Sequence, residues 1–147
     1  MPVLVGKYLN KIDQKNRIFV PAKHRDILGS FFYINSSSER ECIDCYSEQE
    51  FNKRYMKVLN NDGKYVSDYD LAMDFFAEAN DVAVDSQGRI TIPQELIEKA
   101  GITEVALVIG KGDHIEIWDK ATWEAYYTDA SNNFEEVAEN LSDLIND

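Results

Sequence analysis

Two stretches share one pattern, Asp13-Gln14-Lys15-Asn16-Arg17-Ile18-Phe19-Val20-Pro21 and Asp85-Ser86-Gln87-Gly88-Arg89-Ile90-Thr91-Ile92-Pro93. They lie 72 residues apart (85 − 13), and at the same offset Tyr46 matches Trp118, and Phe51 matches Trp123. A self-match at a fixed offset decides the architecture, and two copies are too few for a solenoid. The sequence therefore predicts two structurally equivalent half-domains in one chain.

Each copy is typical of a strand, a tight turn, a second strand and a short helix. Asn16 and Gly88 tolerate positive φ and mark the turns. The aspartate and arginine of each copy flank its turn, where they form an ion pair or leave the arginine free at the tip. Pro21 and Pro93 suit the first turn of a helix, because no backbone donor is needed there. We assign structural roles in the turns to Asp13, Asp85, Gly88 and Arg89.

The paired Asp-x-x-x-Arg stretches, each followed by Ile-x-[Val/Ile]-Pro and a short helix, resemble the AbrB/SpoVT-type swapped-hairpin fold. With Pro-Ala-Lys-His-Arg at 21–25 and Ile-Glu-Ile-Trp-Asp-Lys-Ala-Thr-Trp at 115–123, the chain resembles the MraZ family over roughly 4–127. The resemblance implies an α+β fold, mainly a β pseudo-twofold barrel with short flanking helices and a C-terminal helix. We expect a first repeat at 4–59, a linker and helix at 60–78, a second repeat at 79–128 and an acidic C-terminal helix at 131–147.

The remaining pattern predicts further elements. Ser47 followed by Glu50 is a capping box that opens a helix to about Leu59. The polar stretch 60–63 is the clearest break in the chain, and Ser67 is typical of an N-cap for a helix to Ala79. Strands are predicted at 3–12, 17–20, 31–34, 42–46, 81–85, 89–92, 104–109 and 114–118.

Charge is unevenly distributed along the 147 residues, whose net charge is −12. Residues 1–30 carry six basic side chains against Asp13 and Asp26, which is +4 and leaves −16 for the remainder. This asymmetry is typical of a basic contact face on an acidic body, although lysines also scatter over ordinary surfaces. At 44% hydrophobic the chain can build a core. It shows no apolar run of the roughly 18 residues that cross a bilayer and no signal-peptide layout, so we expect a cytoplasmic protein.

The resemblance implies a sequence-specific DNA-binding transcriptional regulator associated with the nucleoid, either a transcriptional repressor or an activator. Such proteins are expected to act on promoters of the division and cell-wall gene cluster, their own included, as ring-shaped homo-oligomers (an octamer or similar) on repeated DNA boxes. The expected partners are double-stranded DNA and further copies of the chain, without a cofactor, a membrane or a small-molecule substrate. The candidate DNA contacts are Arg17, Lys15, Asn16, Lys7, Lys11, Lys23, His24 and Arg25.

Arg17 matches the motif arginine and is expected to contact a base edge or a phosphate. Arg89 is expected to serve packing instead, because its sequence neighbours Asp81, Asp85, Glu95 and Glu98 repel DNA. Asn16 replaces the glycine usual in the family and adds a side chain at the contact point.

Other chemistry finds little support. Cys42 and Cys45 have a metal or redox spacing, but no second pair accompanies them, and residues three apart in a strand point to opposite faces. His114 is predicted as a strand surface residue, and the carboxylates as a solvated face. The sequence contains no Gly-rich phosphate loop, Gly-x-Ser-x-Gly or His-Glu-x-x-His motif. We therefore expect no enzyme and no metal site.

Two other functional classes stay open. The chain fits an antitoxin-like protein of the same fold or a signalling protein, either of which docks a protein partner through the acidic C-terminal helix. The antitoxin alternative fits less well, because such antitoxins usually carry one hairpin copy and a long tail.

Overall fold

The computed structural model describes residues 2–60, 66–131 and 134–146, and most of the predicted break at 60–63 lies outside them. One order of elements, strand-strand-helix-strand-strand-helix, occurs twice. The first set is β1 Lys7–Lys11, β2 Arg17–Phe19, α1 Ala22–Leu28, β3 Phe31–Ser36, β4 Ile43–Ser47 and α2 Glu48–Leu59, followed by α3 Val66–Glu78. The second set is β5 Asn80–Ala83, β6 Arg89–Thr91, α4 Gln94–Ala100, β7 Val105–Gly110, β8 Ile115–Asp119 and α5 Lys120–Ser131, followed by α6 Phe134–Asn146.

The strands of each predicted hairpin pair with the other repeat. β1 pairs antiparallel with β7, and β2 pairs antiparallel with β6. Within the first copy, the turn is closed by a backbone hydrogen bond from the amide of Asp13 to the carbonyl of Arg17, 3.0 Å long. The mixed α+β architecture and the swapped hairpins are therefore confirmed.

The predicted barrel is wrong, because the described strands form two separate sheets. Six strands lie in the order β1-β7-β8-β4-β3-β5, which leaves β1 and β5 as open edges, and β2 and β6 form a two-stranded ribbon. Each Asp-x-x-x-Arg turn carries the chain out of the large sheet into the ribbon. The backbone hydrogen-bond ladder between the strands is therefore interrupted at these two turns, and the strands do not close into a barrel.

The core lies between the large sheet and a layer made of the ribbon, α1 and α4. Ile18 and Ile90 enter it from the ribbon, Leu28 from α1, and Leu96 from α4. The other face of the large sheet is covered by α2 and α3 at one end, where Phe51 stacks on a β3 tyrosine, and by α5 at the other. The outward side of the ribbon thus remains part of the protein surface.

Helix ends follow the predicted capping in part. Ser47 Oγ accepts a hydrogen bond from the amide of Glu50 at 3.1 Å, which confirms the predicted start of α2. Ser67 is not an N-cap, because α3 already begins at Val66. The predicted strand at 42–46 begins one residue later, at Ile43. None of the described helices is both long and apolar enough to cross a membrane.

Candidate nucleic-acid interface

The first turn is built around the carboxylate of Asp13. Its Oδ1 accepts hydrogen bonds from the backbone amides of Lys15 and Arg17, each 2.9 Å long. Its Oδ2 accepts a hydrogen bond from the guanidinium Nε of Arg17, 2.7 Å long. The amide of Arg17, followed by its side chain and the amide of Lys15, lowers the pKa of Asp13 despite an opposing desolvation effect. The carboxylate therefore stays charged and holds the arginine at the turn.

The second turn repeats this geometry around Asp85. Its Oδ1 accepts hydrogen bonds from the backbone amides of Gln87 and Arg89, each 2.9 Å long. Its Oδ2 accepts a hydrogen bond from Nε of Arg89, 3.0 Å long. The bond from the Arg89 amide is the largest cause of a lowered pKa of Asp85. Of the two arrangements open to the sequence, the ion pair is formed in both copies. The ion pair uses Nε of each arginine. Within the described residues, the Nη groups of both arginines have no hydrogen-bond partner.

Positive φ occurs where the sequence predicts it. Asn16 has φ 60° and Gly88 has φ 82°. The side chain of Asn16 does not point freely to solvent, because its Nδ2 donates to Oε1 of Gln94 at 2.8 Å. Asn16 thus joins the first turn to the start of α4.

The two motif arginines lie on one face of the ribbon. The register places Arg17 opposite Thr91, and Phe19 opposite Arg89, with Ile18 opposite a buried isoleucine of β6. Side chains alternate along a strand, and the isoleucines enter the core. The other residues form the outward surface, here called the ribbon face, which consists of Arg17, Phe19, Arg89 and Thr91. Diagonal neighbours in such a pair are about 7–8 Å apart, so the two arginines are neighbours on the ribbon face.

The swap also exchanges the helices that flank the turns. A Cβ at Gly88 would lie 2.8 Å from Cε2 of Phe19 and 3.0 Å from Cζ of Arg25. Arg25 donates through Nε to the carbonyl of Val20 at 2.9 Å and lies 5.2 Å from the Phe19 ring centroid. The basic helix α1 therefore flanks the second turn, while α4 flanks the first. The residues that surround each arginine in the fold therefore differ from its neighbours in the sequence, and the expected difference between Arg17 and Arg89 stays a prediction.

The other predicted contacts fall into three groups. Lys11, Lys15 and Lys23 are exposed. Lys7 lies at the far end of β1 from the turn, with its Nζ 4.0 Å from the ring centroid of Trp123. His24 is only 1% exposed, and its Nε2 lies 2.6 Å from a backbone carbonyl. A phosphate contact by His24 is therefore wrong, because the ring is inside the protein.

The ribbon face offers donors suited to DNA. The Nη groups of an oriented arginine match a phosphate or the edge of guanine. Phe19 is 41% exposed and adds an apolar contact between them. The major groove admits a two-stranded β-ribbon. Sequence reasoning did not place Phe19, Thr91 and Arg89 on one face with Arg17, although alternation around the buried isoleucines was a usable signal.

Comparison with known proteins identifies the family. A family model described as "MraZ protein, putative antitoxin-like" matches residues 75–145. The transcriptional regulator MraZ of Finegoldia magna is 34% identical over 142 residues, covering 97% of this chain and 99% of that protein. The chain belongs to the MraZ family. Two further relatives carry the same description: that of Clostridium tetani is 33% identical, with coverage of 97% and 99%, and that of Acetivibrio thermocellus is 34% identical, with coverage of 95% and 96%.

Among solved structures, the solution structure of PHS018 from Pyrococcus horikoshii is 20% identical to this chain, and the match covers 78% of this chain and 95% of that one. Its TM-score of 0.33 marks a remote likeness.

Proposed function

We propose that this member of the MraZ family binds double-stranded DNA through the ribbon face and regulates transcription. Its relatives are described as transcriptional regulators. In finer terms, we propose a repressor at the nucleoid that acts on the division and cell-wall gene cluster, its own promoter included. No step of this function requires a catalytic residue or a cofactor.

One observation carries the proposal: both Asp-Arg ion pairs lie on a single outward ribbon. Each carboxylate fixes its arginine through Nε, at 2.7 Å for Arg17 and 3.0 Å for Arg89. A guanidinium that is already oriented loses less conformational entropy when it binds. Arg25 beside the second turn and Lys15 within the first add charge for backbone contacts.

A single ribbon face supports only weak binding, because a few phosphate contacts give salt-sensitive affinity. Joining several such modules raises avidity about 10²–10⁴-fold. We therefore propose a ring of copies on repeated DNA boxes. This assembly is supported by the open edges of β1 and β5 and by Val3, Val5 and Leu9, which are more than half exposed, because uncovered edges and apolar residues favour association. Light scattering that gives only the 16.9 kDa chain at micromolar concentration refutes the ring.

Fluorescence anisotropy over a salt series, with DNA from upstream of the protein's own gene, tests the DNA proposal. Arg17→Ala and Arg89→Ala should each weaken binding by about 1–3 kcal/mol where the arginine reads a base. Where the arginine instead binds a phosphate, its removal should lower the salt slope by about 0.9. The matched control is Lys57→Ala, because Lys57 is an exposed base on α2, on the far side of the large sheet.

Size-exclusion chromatography checks that each variant keeps its assembly. Equal binding by wild type, Arg17→Ala and Arg89→Ala in intact oligomers contradicts the ribbon face. If only Arg17→Ala loses DNA binding, Arg17 alone contacts DNA and Arg89 serves packing, as the sequence predicted.

A second candidate function, docking of a protein partner through α6, is favoured by one observation. Leu144 is 80% exposed and Ile145 is 69% exposed on this acidic helix. A chain ending at residue 131 separates the two functions. It should bind DNA unchanged if α6 serves a protein partner, and a pull-down with and without 132–147 should then lose that partner.

A further inference from the structure

A buried polar cluster lies across β4 and β8, on the sheet face opposite the core. Its members, here called the four-donor cluster, are Cys42, Asp44, His114 and Glu116. The register places Asp44 directly opposite Glu116, and Cys42 and His114 occupy equivalent positions of the two repeats (114 − 42 = 72). The thiol and both carboxylates belong to buried residues. The prediction of a solvated face for these carboxylates is therefore wrong. The side chain of His114 is only 14% exposed, so the prediction of His114 as a surface residue is wrong as well.

Three of the donor atoms, from Cys42, Asp44 and Glu116, form a close group, and Nε2 of His114 lies beside the two carboxylates of that group. Sγ of Cys42 lies 3.8 Å from Oδ1 of Asp44, which lies 3.9 Å from Nε2 of His114. That nitrogen is 3.1 Å from Oε2 of Glu116. One thiol and one carboxylate oxygen from each acidic residue lie within 4.8 Å of one another. Tetrahedral zinc with bonds of about 2.0–2.3 Å separates its ligand atoms by about 3.3–3.8 Å.

A second observation points the same way: the donors have outer partners that aim them inward. Nδ1 of His114 lies 2.7 Å from Oδ1 of Asp113, which leaves Nε2 facing the cluster. A carboxylate on the distal nitrogen is the usual partner of a metal-binding histidine. The hydroxyl of Tyr46 donates to Oδ2 of Asp44 at 3.1 Å, and Nε1 of Trp118 donates to Oε1 of Glu116 at 2.9 Å.

Arg40 decides the balance of charge around the cluster. Its Nη2 donates to Oε2 of Glu116 at 3.0 Å. A thiolate and two carboxylates carry −3, which a divalent ion and the Arg40 guanidinium neutralise together. Each carboxylate oxygen has two lone pairs, so Glu116 can keep its arginine while it binds an ion.

We propose that the four-donor cluster is a structural binding site for a divalent transition metal, with zinc the best match. Mixed thiolate, imidazole and carboxylate ligands suit zinc, and four protein donors form a closed site with no open position for substrate. On binding, the thiol proton of Cys42 is released to solvent. Because two ligands come from each repeat, the ion fastens the repeats together along the β4–β8 seam. Access runs through a surface cavity of about 400 Å³ lined by Cys42, Arg40 and neighbouring loop residues.

Metal content and a cobalt spectrum test this proposal. Full-length protein is stripped with a chelator, given one equivalent of zinc, and dialysed before atomic absorption. We expect about one bound zinc per chain and a higher melting temperature, because an ion that binds only the folded state stabilises it. With cobalt in place of zinc, we expect tetrahedral ligand-field bands and a sulfur-to-cobalt charge-transfer band.

The chain offers a matched control in Cys45, which lies in β4, three residues after Cys42, but has its side chain in the core. Cys42→Ser should lose the charge-transfer band and most of the zinc, and His114→Gln should lose most of the zinc. Cys45→Ser should keep both signals.

A wild-type cobalt spectrum without the sulfur band overturns the proposal, even if the variants fail to fold. Zinc retained equally by wild type, Cys42→Ser and His114→Gln also overturns it, because such zinc sits elsewhere on the acidic surface. These readouts do not involve DNA, so they are independent of the proposed function.

Discussion

Replacing Gly88 by valine probes the point where the two repeats lock together. Gly88 has φ 82°, a conformation in which a β-branched residue is a genuine outlier. The new Cβ would lie 2.8 Å from Cε2 of Phe19, against an optimum of about 3.5–4.0 Å between carbons. The phenylalanine has to move, and Arg25 on the other side leaves little room at 3.0 Å from Cζ.

The structure sets the size of the effect on stability. The left-handed backbone costs a non-glycine residue roughly 1–2 kcal/mol. Displacing Phe19 also removes its interaction with the Arg25 guanidinium, about 0.5–1 kcal/mol at an exposed site. The free energy of unfolding should therefore fall by about 1.5–3 kcal/mol. At about 2–4 °C per kcal/mol for a chain of this size, the melting temperature drops by about 3–12 °C.

Asn16→Gly is the matched change in the first turn. Glycine accepts φ 60° freely, so only the exposed hydrogen bond to Gln94 and some unfolded-state entropy are at stake. We expect a loss of about 1 kcal/mol. Thermal melts followed by circular dichroism, with urea titrations as a check, should give a lower melting temperature for Gly88→Val than for Asn16→Gly. The reverse order would refute the assignment of both turns.

Three further predictions address other parts of the chain. Ser47→Ala should cost about 1 kcal/mol in urea titrations, because it removes the N-cap of α2; an unchanged midpoint contradicts the cap. The pKa values of Asp13 and Asp85 are lowered in the folded protein, so both carboxylates stabilise the fold at pH values above their ordinary pKa of 3.8. This stabilisation is lost as the pH falls below 3.8. Between pH 7 and pH 3, the free energy of unfolding should therefore fall less in the double variant Asp13→Asn, Asp85→Asn than in wild type. An equal fall in both proteins contradicts this. Deleting 132–147 should leave the melting temperature nearly unchanged, because no core residue found in the described chain lies beyond Trp123; a drop of more than a few degrees means that the tail packs on the fold.

Local signals in the sequence were enough for the turns and most elements. The fixed offset and the residues that accept positive φ located both copies, because a turn depends on four or five neighbouring residues. The lysine and arginine beside His24 indicated a surface position. In the helix, however, His24 shares a face with Leu28, four residues on, and both are buried.

Contacts between the repeats could not be read from local pattern. Arg25 packs on Gly88, 63 residues away (88 − 25), and only the strand pairing brings them together. The four-donor cluster was missed for a similar reason. Asp44 lies in β4, and Cys42 directly precedes this strand. Because β4 is covered on both faces, the residues between and after them are buried too, so alternation did not mark the two as a site.

The exchange of strands also has a consequence for synthesis on the ribosome. Lys7 of β1 pairs with Ile109 of β7, 102 residues later (109 − 7). At about 5–20 residues per second, β1 waits roughly 5–20 s for its partner. During that interval the nascent first repeat exposes unpaired strands, and a neighbouring nascent copy offers equivalent ones. Productive folding of this chain therefore depends on keeping such copies apart until β7 emerges, and slow translation of residues 60–110 increases the risk of intermolecular swapping.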